Sequence, residues 1–338
     1  MSKIIITGGF GFIGTNFIEY LLNNKLCEKI YVIDMNKTLD KYLKSKVDKF
    51  VYEKRVIYIK HDIRKPINQY EELKDVNLII NLAAVHKMPG HDDFEYFETN
   101  TEGAKNICKF ADKIRCKNII FTSSISIYGS GSHGKDEDTK PTPDTPYGKS
   151  KLEAEKIHEE WQKDNDKILL ICRPGVVFGP GENGNVTRLI KLIKKKMFFY
   201  MGNKNVKKGG IYIFELLNQI IWINQNQLKK NFPKKIIFNG VFKKSYSFKD
   251  YAENIRSIYK YNLNVINIEK KIFLFILKFT SSITKNLSSS SNFNYMRLKK
   301  LIISNDITPK FLIENNYSFK YDLKTSLQEW SEIKNNEW

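Results

Sequence analysis

Ile4-Ile5-Ile6-Thr7-Gly8-Gly9-Phe10-Gly11-Phe12-Ile13-Gly14 decides the fold. A β-branched run stops at Thr7, glycines follow at 8, 11 and 14, and an amphipathic segment begins. This predicts a strand, a tight turn and a helix start. Gly8 permits the sharp turn, Gly11 lets backbone approach a pyrophosphate, and Gly14 lets the helix pack close on the strand. The anion is then expected on the free N–H groups of Phe12 and Ile13, at the positive end of the helix.

A second apolar strand, Ile30-Tyr31-Val32-Ile33, ends in Asp34, 20 residues after Gly14. A carboxylate there accepts both hydroxyls of an adenosine ribose and repels a 2′-phosphate, so the expected cofactor is NAD rather than NADP. Further strands are expected at 56–60, 77–82, 118–123 and 168–173, with helices around 12–23, 38–50, 94–112 and 147–163. Such alternation implies βαβ units in a Rossmann-type, doubly wound parallel α/β sheet, whose ligands sit at the carboxyl ends of the strands. After Arg173-Pro174 a glycine-rich connection, Gly179 to Gly184, leads into less periodic sequence. The expected organisation is a dinucleotide-binding domain over 1–174 and a smaller, mainly substrate-binding lobe over 175–338, with some segments returning to the first domain. Tyr317 to Trp330 alternates and then turns helical, closing that lobe.

Composition narrows the class. The chain has 338 residues, 41% hydrophobic and 28% charged, which is ordinary for a globular protein with a substantial core. No apolar run reaches the roughly 18–20 residues that span a bilayer, and the strand starting at Lys3 argues against a cleaved signal peptide. Cys27, Cys108, Cys116 and Cys172 form no CxxC pair and suit core positions in a reducing cytoplasm. The net charge of +19 raises nucleic acid as a partner. Arginine, the better reader of phosphate and base edges, supplies only seven of the 56 basic residues. With no recognised motif the surplus reads as a solvated lysine surface, attractive to anionic substrates or an acidic membrane. Ile272 to Leu277, flanked by Lys270, Lys271 and Lys278, is either a packed helix of the second lobe or a peripheral membrane contact. The polar run Ser281 to Asn294 reads as a mobile loop.

Chemistry concentrates in Tyr147-Gly148-Lys149-Ser150-Lys151. Thr145 and Pro146 supply an N-cap and an N1 proline, so Tyr147 and Lys151, four apart, share a helix face. A free phenol has a pKa near 10, and a nearby ammonium and an oxidised nicotinamide are expected to lower it, making Tyr147 a base. Ser124, at the end of the fifth strand, is placed to hydrogen-bond the oxygen whose charge changes. His86 follows the fourth strand, either facing the nicotinamide side or serving structure. Pro89-Gly90 separates it from His91, so helical metal-ligand spacing is excluded, and no metal is expected even with Asp92 and Asp93 nearby.

Together these residues make the chain resemble the extended short-chain dehydrogenase/reductases of the NAD-dependent nucleotide-sugar epimerase/dehydratase type. The likeness runs through TGGFGFIG (7–14), HDI (61–63), NLAA (81–84), TSSISIYG (122–129), PYGKSK (146–151) and RPGVVFGPG (173–181), and is diffuse beyond about residue 182. The resemblance implies Ser124, Tyr147 and Lys151 as the catalytic triad. It implies adenine contacts at Asp62 and Ile63, and cofactor contacts at Leu82, Ala83, Ala84, Asn100 and Pro174. It also places sugar and diphosphate near Asn185 and Arg188, with Arg297 a further candidate because arginine is scarce here and grips a diphosphate bidentately. Dehydratases and decarboxylases of the family carry an acid directly after the catalytic Thr/Ser. Here Ile125 and Ser126 stand there, as in 4-epimerases. A C4 epimerase acting through a transient 4-keto sugar is therefore expected. A keto-sugar reductase or dehydrogenase is the alternative, with a 4,6-dehydratase disfavoured and a non-catalytic dinucleotide-binding regulator the reading outside enzymes. Cell-surface polysaccharide synthesis and a homodimer through paired helices, one bearing Tyr147, are also what the resemblance implies.

Overall fold

The computed structural model describes residues 2–338 apart from 37–40, 69–72, 74, 88–89, 132–133, 165, 202, 262–264 and 269–303. Seven strands form one sheet: β1 (Lys3–Thr7), β2 (Lys29–Asp34), β3 (Val56–Lys60), β4 (Val76–Asn81), β5 (Asn118–Thr122), β6 (Ile168–Pro174) and β7 (Lys235–Gly240). Their spatial order is β3-β2-β1-β4-β5-β6-β7, and every neighbouring pair is parallel. The order reverses between β1 and β4, which opens the crevice where doubly wound sheets take ligands.

The strands read as continuous apolar runs because helices cover both faces. Alternate residues divide between two cores, as a two-residue period demands. Ile4, Ile6, Ile30, Val32, Leu78, Ile80 and Phe238 face α1 (Phe12–Asn23), α2 (Lys41–Tyr52) and α7 (Ile213–Leu228). Ile5, Tyr31, Ile33, Ile79, Ile119, Phe121 and Ile171 face the opposite layer, built on α3 (Asp93–Phe97), α4 (Gly103–Lys113) and α5 (Pro146–Trp161). The single helix expected over 94–112 is interrupted by a π-type turn at Glu98–Glu102. β7 carries no mark in the sequence reading, and it edges the sheet beside β6.

The remainder contains α6 (Asn185–Lys194), α8 (Phe248–Ile258), α9 (Lys310–Glu314) and α10 (Leu323–Ile333) with three two-stranded ladders. One pairs Val176–Phe178 with Gly210–Tyr212. Phe178 centres an aromatic cluster there, with Tyr251 at 5.8 Å, Tyr212 and Phe242 at 5.9 Å and Trp330 at 6.1 Å. This cluster is continuous with the core beneath α1 and α7. Arg297, the apolar run 272–277 and the serine-rich run 281–294 lie outside the described residues.

Candidate active site

At the end of β1 the chain turns at Gly8, whose φ is +68°. A Cβ on Gly8 would come within 2.7 Å of the Ala83 Cα, so only glycine lets this turn press against the loop after β4. A Cβ on Gly14 would lie 2.5 Å from the Gly9 Cα, so its absence draws α1 against the turn. Gly11 differs, because the nearest atom to a Cβ there, the Gly8 carbonyl oxygen, is 3.3 Å away. Its missing side chain leaves room over the helix start. Gly11 is the N-cap of α1, no side chain caps the helix, and no acid stands in its first turn. The amides of Phe12, Ile13 and Gly14 thus lack intrahelical acceptors, and the cradle has the shape and sign to hold a pyrophosphate.

Asp34 closes β2 beside this turn. Its Oδ2 accepts the Phe10 amide at 3.1 Å and its Oδ1 the Asn36 amide at 3.2 Å. Burial raises its pKa against those backbone donors. Asp62 is gripped by Arg64, from Nε at 2.9 Å and Nη2 at 2.7 Å to Oδ2, and this pairing lowers its pKa. Ile63 is buried under α4, where a Cβ on Gly103 would meet its Cδ1 at 2.5 Å.

On the β4 side, Asn100 braces the Leu82–His86 loop. Its Oδ1 accepts the Val85 amide at 3.0 Å, and its Nδ2 donates to the Val85 carbonyl at 3.2 Å and to Ser150 Oγ at 2.9 Å. Asn100 sits in the π-type turn, whose wider coil carries it, 3% exposed, between that loop and α5. Burial lowers the His86 pKa, with the Ala84 carbonyl opposing and Lys87, Lys151 and His91 adding to it, which puts His86 within the field of Lys151. His91 turns to Glu95 at 3.0 Å, and Asp92 caps α3 in a capping box with Glu95.

β5 delivers Ser124. As N-cap of the 3₁₀ turn Ile125–Tyr128, its Oγ accepts the Ser126 amide at 3.1 Å and donates to Ser126 Oγ at 3.1 Å. Thr145 caps α5 by accepting the Gly148 amide at 3.1 Å, with Pro146 in the first turn, as the sequence predicts. A Cβ on Gly148 would strike the Ser126 carbonyl oxygen at 2.6 Å, so this glycine lets α5 start directly against the serine turn. There the Ser124 hydroxyl meets the Tyr147 phenol, and the Tyr96 ring packs on Tyr147 with centroids 6.2 Å apart.

The electrostatics differ from the expectation of a lowered phenol. Burial raises the Tyr147 pKa, and the Ser124 hydrogen bond only partly offsets it. Lys151, 2% exposed with Nζ 4.4 Å over the Phe121 ring, is pushed down to about 7 by burial, with Glu155 opposing. A lysine that holds its own charge weakly does little to stabilise a phenolate.

Beneath this pair lies a polar network that sequence reasoning missed. Glu155, one turn beyond Lys151, takes Arg173 Nε at 3.0 Å and Nη2 at 2.8 Å. Arg173 Nη1 donates to the Tyr128 hydroxyl at 2.9 Å, which donates to Asn239 Oδ1 at 2.9 Å. His158 stacks on Phe121 at 4.1 Å and faces Asn81 at 3.3 Å, and Asn81 Oδ1 accepts the Thr7 hydroxyl at 2.8 Å. The only sequence signal was the helical i, i+4, i+7 spacing of Lys151, Glu155 and His158.

Pro174 ends β6 on the same carboxyl edge. Asn185 and Arg188 meet in the first turn of α6, where Arg188 donates to Asn185 Oδ1 and the Gly184 carbonyl, both at 3.0 Å. Among the described residues no hydrogen bond joins them to Ser124, Tyr147 or Lys151.

The profile of the NAD dependent epimerase/dehydratase family matches residues 4–235. The chain is 31% identical over 222 residues to the N-acetyl-alpha-D-glucosaminyl-diphospho-ditrans,octacis-undecaprenol 4-epimerase of Escherichia coli O157:H7, a match covering 65% of this chain and 62% of that one. It is 33% identical over 231 residues to the UDP-glucose 4-epimerase of Vibrio cholerae, covering 65% of each. Both matches thus span less than two thirds of the relative. The fold is shared with the UDP-glucuronic acid 4-epimerase of Bacillus cereus, solved with UDP-glucuronic acid and NAD, at a TM-score of 0.75 and 19% identity over 99% of this chain and 100% of that one.

Proposed function

Because the chain belongs to the NAD dependent epimerase/dehydratase family, we propose that it is an NAD-dependent nucleotide-sugar epimerase that inverts C4. The observation that carries this reading is the meeting of Ser124 and Tyr147, with Lys151 one turn further along the same helix, and Ile125 and Ser126, not an acid, next to Ser124. Elimination of a C6 hydroxyl needs an acid or base there, and neither residue supplies one. The names of the Escherichia coli and Vibrio cholerae relatives, both 4-epimerases, point the same way.

Gly8, Gly11 and Gly14, the amides of Phe12 and Ile13, and Asp34 would hold the dinucleotide, with Leu82, Ala83, Ala84 and Pro174 along the nicotinamide side and Asp62 and Ile63 toward the adenine. NAD, when bound, would supply a reversible hydride acceptor for the sugar carbon and a positive charge that favours the Tyr147 phenolate. Tyr147 removes the C4 hydroxyl proton and gives it back. Ser124 donates to the oxygen as it becomes a carbonyl. Lys151 stands beside the phenol, and Asn100 acts through the loop it braces. His86, Asn185 and Arg188 are proposed for the sugar and diphosphate.

The Escherichia coli relative's name specifies a sugar on a diphospho-polyprenol and the Vibrio cholerae relative's a UDP-sugar, so a diphosphate arm is common to both. We further propose a homodimer through paired helices that include α5 and a cytoplasmic location, the latter supported by four free, buried cysteines. No helix among the described residues is long and apolar enough to cross a membrane.

The test is extraction of cofactor from purified protein, then incubation with a UDP- and GDP-sugar panel without additions. Co-purified NAD and a mixture of C4 epimers are expected. An empty protein that converts substrate only with stoichiometric reductant would replace this reading with the reductase.

A further inference from the structure

We propose that the C-terminal end of α6 and the turn after it form a docking surface for an anionic lipid membrane. The proposal is independent of the C4 chemistry. Helix α6 packs its buried face, Val186, Ile190 and Ile193, into the core. Its outer face carries Lys191, Leu192 and Lys195 at helical spacing, all exposed, and Lys194 and Lys196 lie exposed in the last turn and just beyond.

Large apolar side chains stand exposed among these cations: Leu192 43%, Met197 63%, Phe199 39% and Ile266 72%. Backbone hydrogen bonds hold their chain segments together. The Met197 amide donates to the Leu192 carbonyl at 3.0 Å, and the Tyr200 amide, next to Phe199, donates to the Ile266 carbonyl at 2.9 Å. Tyr200 and Ile193 point inward as their neighbours point out, so the exposed side chains sit on packed backbone.

Charge selects the occupant. Among the described residues, no ion pair joins an acid to Lys191, Lys195 or Lys196. Lys196 lies 5.1 Å over the Tyr261 ring, and Lys194 reaches the Trp338 main-chain oxygen. A second copy would bring the same cations against these, and each chain carries +19. The segment 269–303 of this chain holds six lysines and Arg297 against Glu269 alone, so it does not neutralise the patch either. An anionic surface does. Nucleic acid would satisfy the lysines and leave Leu192, Met197, Phe199 and Ile266 in water. A phospholipid interface takes both, with the apolar groups at the acyl boundary and the ammonium groups among the headgroups.

The test is co-sedimentation of the full chain with vesicles of phosphatidylglycerol and phosphatidylcholine, against phosphatidylcholine alone, at about 0.15 M salt, where remote charges are screened. Wild type is expected to bind only the anionic vesicles. Met197→Asp with Phe199→Asp should weaken binding at least tenfold, while Lys60→Gln with Lys324→Gln, an equal charge change at exposed remote sites, should leave it near wild type. A Met197→Cys chain labelled with an environment-sensitive dye should shift to the blue on anionic vesicles, the native cysteines being buried. Three outcomes would each overturn the proposal: no binding to anionic vesicles, equal losses in the patch and remote variants, or a dye already buried before vesicles are added. The last would mean that a second copy or the chain's own segment covers the patch, and sedimentation of the free protein separates those two.

Discussion

Ser124, Tyr147 and Lys151 were legible because their spacing sits on recognisable local structure, a strand end and a capped helix. Their electrostatics were not. The sequence shows an ammonium four residues from a phenol, but the pKa of each depends on burial, which belongs to the whole fold. The Glu155–Arg173 pair was hidden for the same reason, since helix and strand bring together residues 18 apart with no local pattern. Two outcomes follow at this scale. Tyr147→Phe should lower turnover by about 10²–10⁴ with cofactor content unchanged, read by steady-state rates and extracted NAD. Glu155→Gln leaves the Arg173 charge buried without its carboxylate and should cost about 3–5 kcal/mol in denaturant unfolding. Because Glu155 opposes the desolvation of Lys151, the same variant should lower the lysine pKa further and move the alkaline limb of the rate profile to lower pH. A variant that is merely destabilised would keep its profile in place.

The elements of the first half follow from apolar period and glycine position, and Lys3–Thr7, Phe12–Asn23 and Val56–Lys60 stand as read. Two departures have physical causes. The helix expected over 94–112 breaks because Asn100 is held inward by Val85 and Ser150, a tertiary demand that no helical period encodes. β7 went unread because Ile236-Ile237-Phe238 is a short run amid weak periodicity, although Pro233 before it marks a boundary. Within α5, Gly148→Ala would set a Cβ against the Ser126 carbonyl, so the tyrosine or the serine turn must shift. Turnover should fall at least about tenfold, since a 1 Å misplacement near chemistry can cost 10²-fold. His158 lies deeper on the same helix, its pKa lowered to about 4 by burial. Below the ordinary value near 6.5 the unfolded chain binds a proton that the folded chain refuses. Stability from this residue is therefore present above pH 6.5 and lost as pH falls toward 4. Melting temperatures over pH 7 to 4 should decline less steeply in His158→Gln than in wild type.

At the scale of the molecule, carboxylates tie together segments distant in sequence. Glu215 on α7 accepts the Lys320 amide at 3.1 Å and the Tyr321 amide at 3.0 Å. Glu137 accepts the Asn239 amide at 2.8 Å and the Lys310 amide at 2.9 Å. Burial raises the pKa of both. Partners more than 100 residues apart leave no periodic trace, so the second half was legible only in outline. The glycine turn and the uncapped start of α1, by contrast, are local and follow the sequence closely. The proposed function has the cofactor held through turnover and a proton shuttled by Tyr147, and therefore predicts inversion without net redox change. The most direct measurement follows a UDP-sugar carrying deuterium at C4 by NMR, with purified protein and no added cofactor. Inversion at C4 with the deuterium retained is the predicted result, and loss of the label to water, or conversion only in step with added reductant, would contradict the account.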